Sequence, residues 1–151
     1  MDSEAEKVYT FRPYQESDIP FIQSSWGSSY YDGNSYKKLL TAAEFHQFHR
    51  PIREAFFLRG STAVILCVSK EDQDLILGWI AVEKPRTSKC LVLHYIYVKH
   101  AFQGQGISHE LMERALPEDI IIYTHVTEKA RKIMRRPKIE TKQYYFIPHV
   151  A

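Results

Sequence analysis

The chain has 151 residues, and its 20 Lys and Arg against 18 Asp and Glu give a formal net charge of +2. This length predicts one globular domain, 1–151, whose core buries about 68–70% of the unfolded surface without disulfides or a structural metal. A charge this small does not identify a nucleic-acid-binding protein, although it allows a basic site for an anionic cofactor.

The N-terminus and the hydropathy of the chain predict a cytoplasmic protein with no membrane partner. Residues 1–6 are acidic and lack the cationic and apolar regions of a secretory signal, and the chain has no apolar run of about 18 residues. Cys67 and Cys90 stand alone in apolar stretches, which favours two reduced thiols over a redox pair or a zinc site.

The first part of the chain predicts a strand followed by a helix. Residues 8–12 suit a strand, and Ser17 and Pro20 suit the first turn of a helix. We expect that helix to end near Gly27, because glycine is a poor helix former and turn residues follow it. An aromatic loop is then expected over 24–35.

A second helix is expected to begin near residue 34 or 35. Thr41 and Glu44 form a possible capping box that restarts it, and Pro51 marks its expected end. Its side chains with metal-ligand chemistry are Glu44, His46 and His49. We expect no metal there, because no third ligand-spaced His or Cys accompanies the two histidines.

The second half of the chain predicts strands that first form a hairpin and then alternate with helices. The hairpin is expected from two β-branched apolar runs, 62–69 and 75–82. After it, strands are expected at 90–98, 120–124 and 144–147, and helices at 107–116 and 127–136. Because the strands are apolar almost throughout, we predict a mixed α/β fold with helices on both faces of the sheet.

The most informative segment joins the strand at 90–98 to the helix at 107–116. Gly104 and Gly106 open this helix, and such a turn directs several backbone N–H groups at one point. The helix dipole favours an anion there, and glycine lets a phosphate approach the backbone. A dinucleotide fold would need a third glycine and a P-loop would need Gly-Lys-Ser/Thr, and both patterns are missing.

Gln103, Gly106 and Ser108 resemble the Gln/Arg-x-x-Gly-x-Gly/Ala signature of the GCN5-related N-acetyltransferases, the GNAT family, with Ser108 departing from Gly/Ala. The order of elements resembles the same family from Tyr9 to Ile147. The resemblance implies a mixed, mostly antiparallel central sheet flanked by helices, with the fourth and fifth strands splayed apart. It also implies acetyl-CoA as co-substrate, no metal, and direct transfer of the acetyl group to a primary amine.

The resemblance implies a cofactor site built mainly from backbone groups. The pantetheine arm would lie along Ile96, Tyr97 and Val98, and the pyrophosphate would meet the amides of Gln103, Gly104, Gln105, Gly106, Ile107 and Ser108. The N–H near Ile96 would polarise the thioester carbonyl.

The resemblance points to His94 as the base, because arylalkylamine-type members carry a histidine at this place on the signature strand. A buried structural histidine is the alternative reading. Members that use a glutamate place it two residues earlier, where this chain has Val92. Glu83, at the end of the preceding strand, is the second choice for the base.

The general acid departs from the family pattern. Many members carry a tyrosine in an Ala-x-x-x-Tyr pattern that protonates the leaving thiolate, and here Ala130 is followed by Met134. Tyr123, His125, Tyr144 or solvent would have to supply that proton. The same departure leaves open a catalytically impaired CoA-binding or protein-interaction module on this fold.

The acceptor side is the least defined part of the prediction. Trp26, Tyr30 and Tyr31 fall in the segment that borders the acceptor in the family, although aromatics at these spacings also suit core packing. We expect an amine-bearing small molecule or peptide, and a homodimer is left open. Basic residues over 129–138 suit a solvated helix face better than an RNA site.

Overall fold

The computed structural model describes residues 7–33, 35–86, 90–116, 120–125 and 140–143. Its strands are β1 Tyr9–Pro13, β2 Thr62–Ser69, β3 Ile76–Glu83, β4 Leu91–Val98, β5 Ile120–Tyr123 and β6 Glu140–Gln143. Its α-helices are α1 Ile19–Asp32, α2 Ala42–Leu58 and α3 Ile107–Ala115. The helix expected at 127–136 and the strand expected at 144–147 lie outside the described residues.

The strands form one sheet in the order in which they occur in the chain, from β1 to β6. The pairs β1–β2, β2–β3 and β3–β4 are antiparallel, whereas β5 is parallel to β4 and β6 is parallel to β5. A parallel pair needs a crossover connection, and α3 supplies it between β4 and β5. The predicted mixed, mostly antiparallel sheet is confirmed.

The fourth and fifth strands separate part of the way along their length, as expected. Only Leu91, Val92 and Leu93 pair with β5. The last backbone bond between the two segments runs from the Thr124 N–H to the Leu93 carbonyl, at 3.1 Å. Residues 94–98 of β4 continue beyond this point, so their edge on the β5 side is not used by any described strand.

A β-bulge in β4 lies where the strands separate. Ala81 of β3 pairs with Tyr95, but the next residue, Val82, pairs with Leu93. His94 is therefore an extra residue in β4. Because a bulge breaks the regular alternation of a strand, it can redirect one side chain, and here that side chain is the imidazole of His94.

Helices cover both faces of the sheet, which confirms the expectation drawn from the continuously apolar strands. On one face α3 buries Ile107, Leu111, Met112 and Ala115 against Leu77, Ile80, Val82, Leu93 and Ile121. On the other face α1 and α2 bury Ile22, Trp26 and Phe56 against Val64, Leu66, Trp79, Ala81 and Tyr95. None of the described helices is long and apolar enough to cross a membrane.

Two expected helix ends were wrong. α1 continues through Gly27 to Asp32, so the segment expected as an aromatic loop is mostly helical. A Cβ on Gly27 would lie 2.9 Å from Arg53 Nη1 and from His46 Cε1, so the glycine serves close packing of α1 on α2 rather than a turn. α2 begins after the Thr41 cap rather than near residue 34 or 35, where Ser35–Lys38 form a separate short 3-10 helix. The predicted Thr41–Glu44 capping box is confirmed, but the helix continues through Pro51 to Leu58. Burial of one helix face outweighs the proline's cost of about 3 kcal/mol.

Candidate active site

A short loop connects β4 to α3 and has the backbone form that the sequence predicts. Gly104 and Gly106 have φ of +82° and +85°, a conformation that residues with a Cβ rarely adopt. A Cβ on either glycine would meet no atom within 4 Å, so the backbone conformation and not crowding calls for glycine. The Gln103 side chain donates from Nε2 to the Val98 carbonyl at 3.1 Å and ties the loop to the strand.

The N-terminus of α3 opens onto this loop. Gly106 is the capping residue, and it offers no side chain to the first amides of the helix. Residues 103–106 are exposed. Free amides and the positive end of a helix dipole attract anions, so the loop has the geometry to hold a phosphate group.

The edge of β4 beyond the bulge continues the same surface. Ile96 and Tyr97 pair with Ile80 and Trp79 of β3 on one side. On the other side they extend past the end of β5. An extended, amide-rich molecule can pair with such an edge in the manner of an added strand.

Glu83, the last residue of β3, is held as a carboxylate in a buried position. Arg59 donates to it from Nε and Nη2, both at 2.9 Å, and the Ser61 hydroxyl donates at 2.6 Å. Burial would raise the pKa of Glu83, but the hydrogen bonds from His94, Arg59 and Ser61 outweigh it and hold the pKa well below the usual range.

His94 lies between this carboxylate and a hydroxyl. Its Nε2 is 2.8 Å from Glu83 Oε1, and its Nδ1 is 3.0 Å from Thr124 Oγ1. The residue is only 3% exposed. Burial lowers the pKa of His94 below its usual value, while Glu83 acts in the opposite direction. The imidazole is therefore neutral near pH 7, as a base must be.

The hydrogen bonds continue from Thr124 into α2. His125 Nδ1 is 2.9 Å from Thr124 Oγ1, and His125 Nε2 is 2.9 Å from His49 Nε2. Arg53 donates from Nη1 to His49 Nδ1. Burial lowers the pKa of His49 to about 2 and that of His125 to about 3. We call the connected side chains the buried polar chain; they are Glu83, His94, Thr124, His125, His49 and Arg53.

The structure places the predicted catalytic residues in two groups. His94 and Glu83 are in direct contact, whereas Tyr123 packs against the apolar cluster under α3. Thr124 and Arg53 were missed by the sequence analysis, since no pattern links them to β4. His49 bonds to Arg53 and His125. Among the described residues no group of three metal-ligating side chains is found.

The three aromatic residues predicted at the acceptor lie on α1, and two of them, Trp26 and Tyr30, contact His49 and His125 of the buried polar chain. Trp26 is fully buried and stacks on Tyr95, with ring centres 5.7 Å apart. Tyr30 packs edge-on against His125 at 4.9 Å. The Tyr31 hydroxyl donates to the Leu40 carbonyl at 2.7 Å. Trp26 therefore belongs to the core, while Tyr30 and Tyr31 are partly buried.

Solved acetyltransferase structures have the same fold. A GCN5-related N-acetyltransferase from Ralstonia eutropha is 17% identical, with a TM-score of 0.63, covering 83% of this chain and 88% of that one. A protein from Clostridium acetobutylicum, described as a predicted acetyltransferase and solved with acetyl-CoA, is 13% identical, with a TM-score of 0.56 and coverages of 84% and 86%. PaiA N-acetyltransferase from Thermoplasma acidophilum, solved with coenzyme A, is 12% identical, with a TM-score of 0.56 and coverages of 72% and 70%.

The family assignment comes from the sequence itself. No curated protein matches the chain. The profile of the acetyltransferase (GNAT) family, however, matches residues 23–129, which is more than half of the chain. That range includes the bulged strand, the glycine loop and all of α3. The protein belongs to the GNAT acetyltransferase family.

Proposed function

We propose that this protein is an N-acetyltransferase that moves the acetyl group of acetyl-CoA to a primary amine by direct attack on the thioester. The observation that carries the proposal is the position of His94, on a bulge at the point where β4 and β5 separate. A neutral, buried imidazole at this point is suited to remove a proton from an attacking amine. Glu83 would stabilise the imidazolium that results.

The cofactor would bind along the surface that leads from this point to α3. Its pyrophosphate would meet the amides of residues 104–108, and its pantetheine arm would pair with residues 96–98 of β4. The Gln103 amide, also expected at the pyrophosphate, instead donates to the His100 carbonyl at 3.2 Å. The exposed glycine loop and the β4 edge support this placement. The solved relatives that contain coenzyme A or acetyl-CoA have the same fold.

The acceptor would be an amine on a small molecule or a peptide. Tyr30 borders the buried polar chain and, with Tyr31 next to it on α1, would shape the acceptor site, while Trp26 supports them from the core. We propose a cytoplasmic location, where acetyl-CoA is available.

Binding of acetyl-CoA by Gly106→Trp, measured by calorimetry, tests the cofactor site. The large side chain at a positive φ should distort the loop and abolish binding, whereas Gly60→Trp is the control, because a Cβ on the exposed Gly60 would meet nothing within 4 Å. Equal affinity in the wild type and Gly106→Trp would show that the cofactor binds elsewhere.

Release of free CoA from acetyl-CoA, measured over a broad panel of amines, tests catalysis. His94→Gln should lower kcat by about 100-fold or more while acetyl-CoA affinity is kept. CoA binding without turnover on any amine would instead support the binding-module alternative, which gains some support from the engagement of both His94 ring nitrogens.

A further inference from the structure

We propose that Thr124 takes the proton from the acceptor amine and passes it to His94, and that His125, His49 and Arg53 orient the Thr124 hydroxyl for this transfer. The inference rests on the proposed function and names the proton path within it. It assigns a role to a threonine outside the cofactor signature and to two residues of α2.

The buried polar chain has a positive group at one end and a negative group at the other, and these ends determine every hydrogen between them. Arginine is always a donor, so His49 Nδ1 accepts and His49 carries its hydrogen on Nε2. His125 Nε2 must then accept, which places the hydrogen of His125 on Nδ1. The Thr124 oxygen therefore accepts from His125.

The Glu83 end of the buried polar chain leads independently to the same direction for the Thr124 hydroxyl hydrogen. Glu83 is a carboxylate and can only accept, so His94 carries its hydrogen on Nε2 and accepts at Nδ1. The Thr124 hydroxyl must donate to that Nδ1, at 3.0 Å. All donors thus point from Arg53 towards Glu83, and three neutral histidines satisfy every bond. The hydroxyl hydrogen has one available direction, towards the base.

Thr124 is also the member of the buried polar chain with acceptor capacity left over. Each Glu83 oxygen already accepts two hydrogen bonds, from Arg59 and His94 or from Arg59 and Ser61. Each histidine accepts at its one available nitrogen. The Thr124 oxygen has two lone pairs and accepts one hydrogen bond among the described residues. It is partly exposed and lies where β4 and β5 separate.

The proton transfer balances without any further reactant. The amine nitrogen forms a bond to the thioester carbon and loses one hydrogen to Thr124 Oγ1. At the same time the original hydroxyl hydrogen of Thr124 moves to His94 Nδ1. The imidazolium is then stabilised by Glu83, 2.8 Å away. When the C–S bond breaks and the thiolate of CoA leaves, the Thr124 hydroxyl gives its hydrogen to the sulfur and takes one back from His94 Nδ1, which restores the neutral imidazole. This path supplies the acid that Met134 does not.

The charges around the two inner histidines keep them from competing for the proton. Burial, Arg53, His46 and the neighbouring histidine all lower the pKa of His49. Burial, the His94 side chain and Arg53 lower the pKa of His125 and outweigh a hydrogen bond to the His94 backbone that raises it. On the other side of Thr124, burial lowers the pKa of His94 as well, but there the hydrogen bond and the charge of Glu83 raise it, and Arg59 lowers it. The histidine beside the carboxylate is the favoured place for an added proton.

The first test compares Thr124→Val with Thr124→Ser, with Thr10→Val on β1 as the control. Loss of the hydroxyl should lower kcat by about 100-fold or more and leave acetyl-CoA affinity unchanged. The serine variant should retain most of the activity, and the control all of it. Wild-type turnover by Thr124→Val would overturn the transfer step alone, whereas absence of turnover in the wild type would overturn the proposed function.

The second test needs no turnover. Nitrogen NMR distinguishes the two tautomers of a neutral histidine, and at pH 7 we expect the hydrogen on Nε2 of His94, on Nδ1 of His125 and on Nε2 of His49. Arg53→Met should free His49 Nδ1 and allow mixed tautomers in His49 and His125, while His94 keeps its own. A charged His125 at pH 7, or the opposite tautomers in the wild type, would overturn the proposed orientation.

Discussion

At the scale of single residues, the hydrogen bonds that stabilise the buried Glu83 carboxylate also prepare it to stabilise a positive charge on His94. The carboxylate accepts hydrogen bonds from three side chains: Arg59 and Ser61, from the connection between α2 and β2, and His94 of β4. Burying a charge is costly unless it is compensated in this way. The same compensation that makes Glu83 stable makes it able to hold an imidazolium during a reaction.

Glu83→Gln should destabilise the fold, because it leaves the Arg59 guanidinium without its counter-charge. Breaking a fully buried pair costs about 3–5 kcal/mol. The Arg59 side chain is 24% exposed, so we expect a loss of about 2–3 kcal/mol in the free energy of unfolding, measured with urea. Glu113→Gln, at the exposed His109–Glu113 pair on α3, is the control and should change it by less than about 0.5 kcal/mol. Equal effects of the two substitutions would contradict this account.

His49 and His125 should make the protein less stable in mild acid. Their pKa values are lowered in the folded state, to about 2 and about 3, whereas the unfolded chain binds protons near pH 6.5. Below pH 6.5 the unfolded state therefore holds more protons, and stability falls as the pH falls.

The uptake of these protons on unfolding lowers the free energy of unfolding by about 2 kcal/mol between pH 6 and pH 5 for the two histidines together. Urea unfolding at pH 7, 6 and 5 measures it. His49→Gln should remove about half of the loss, since one proton fewer is then taken up on unfolding. A wild-type stability that stays constant from pH 7 to pH 5 would mean that these side chains are already solvated.

At the scale of elements, the approach of β3 to β4 determines the edge proposed for the pantetheine arm. Gly78 of β3 pairs with Val98, the last residue of β4. A Cβ on Gly78 would lie 2.7 Å from the Tyr97 carbonyl oxygen, closer than atoms normally approach. Since that oxygen belongs to the backbone, the strand itself would have to move.

Gly78→Ala should therefore weaken both stability and cofactor binding. Overpacking of this kind costs about 1–3 kcal/mol, and displacement of β4 should lower acetyl-CoA affinity as measured by calorimetry. Gly60→Ala introduces the same methyl group into open space and serves as the control. If Gly78→Ala bound acetyl-CoA as tightly as the wild type, the end of β4 would not belong to the cofactor site.

At the scale of the whole molecule, the cofactor should stabilise the folded chain. A ligand that binds only the folded state adds about 2.7 kcal/mol at 100 times its Kd. For a domain of this size that corresponds to a rise of about 5–10 °C in Tm. Acetyl-CoA should produce the shift in thermal unfolding of the wild type, and adenosine, which lacks the pyrophosphate and the pantetheine arm, should not. Equal shifts with both compounds would contradict a binding surface that extends over the loop and β4.

Much of this architecture can be predicted from local patterns. The strands at 62–69 and 90–98 and the helix at 107–116 agree with β2, β4 and α3 to within one residue at each end, because β-branched runs and a glycine turn act locally. Gly27 and Pro51 gave wrong helix ends for the opposite reason. Their effect depends on packing between α1 and α2, which local propensity does not include.

The amino-acid sequence by itself determined strands β1 to β5, the glycine loop and the family, since each depends on short-range patterns and on backbone conformation at a few glycines. It also supplied His94 and Glu83 as candidates. Only the tertiary structure decided that Thr124, His125, His49 and Arg53 join them. His49 and Arg53 lie on α2, and Thr124 and His125 directly follow β5. Hydrogen bonds connect them to His94 of β4 and, through it, to Glu83 of β3 only once the sheet and α2 have packed.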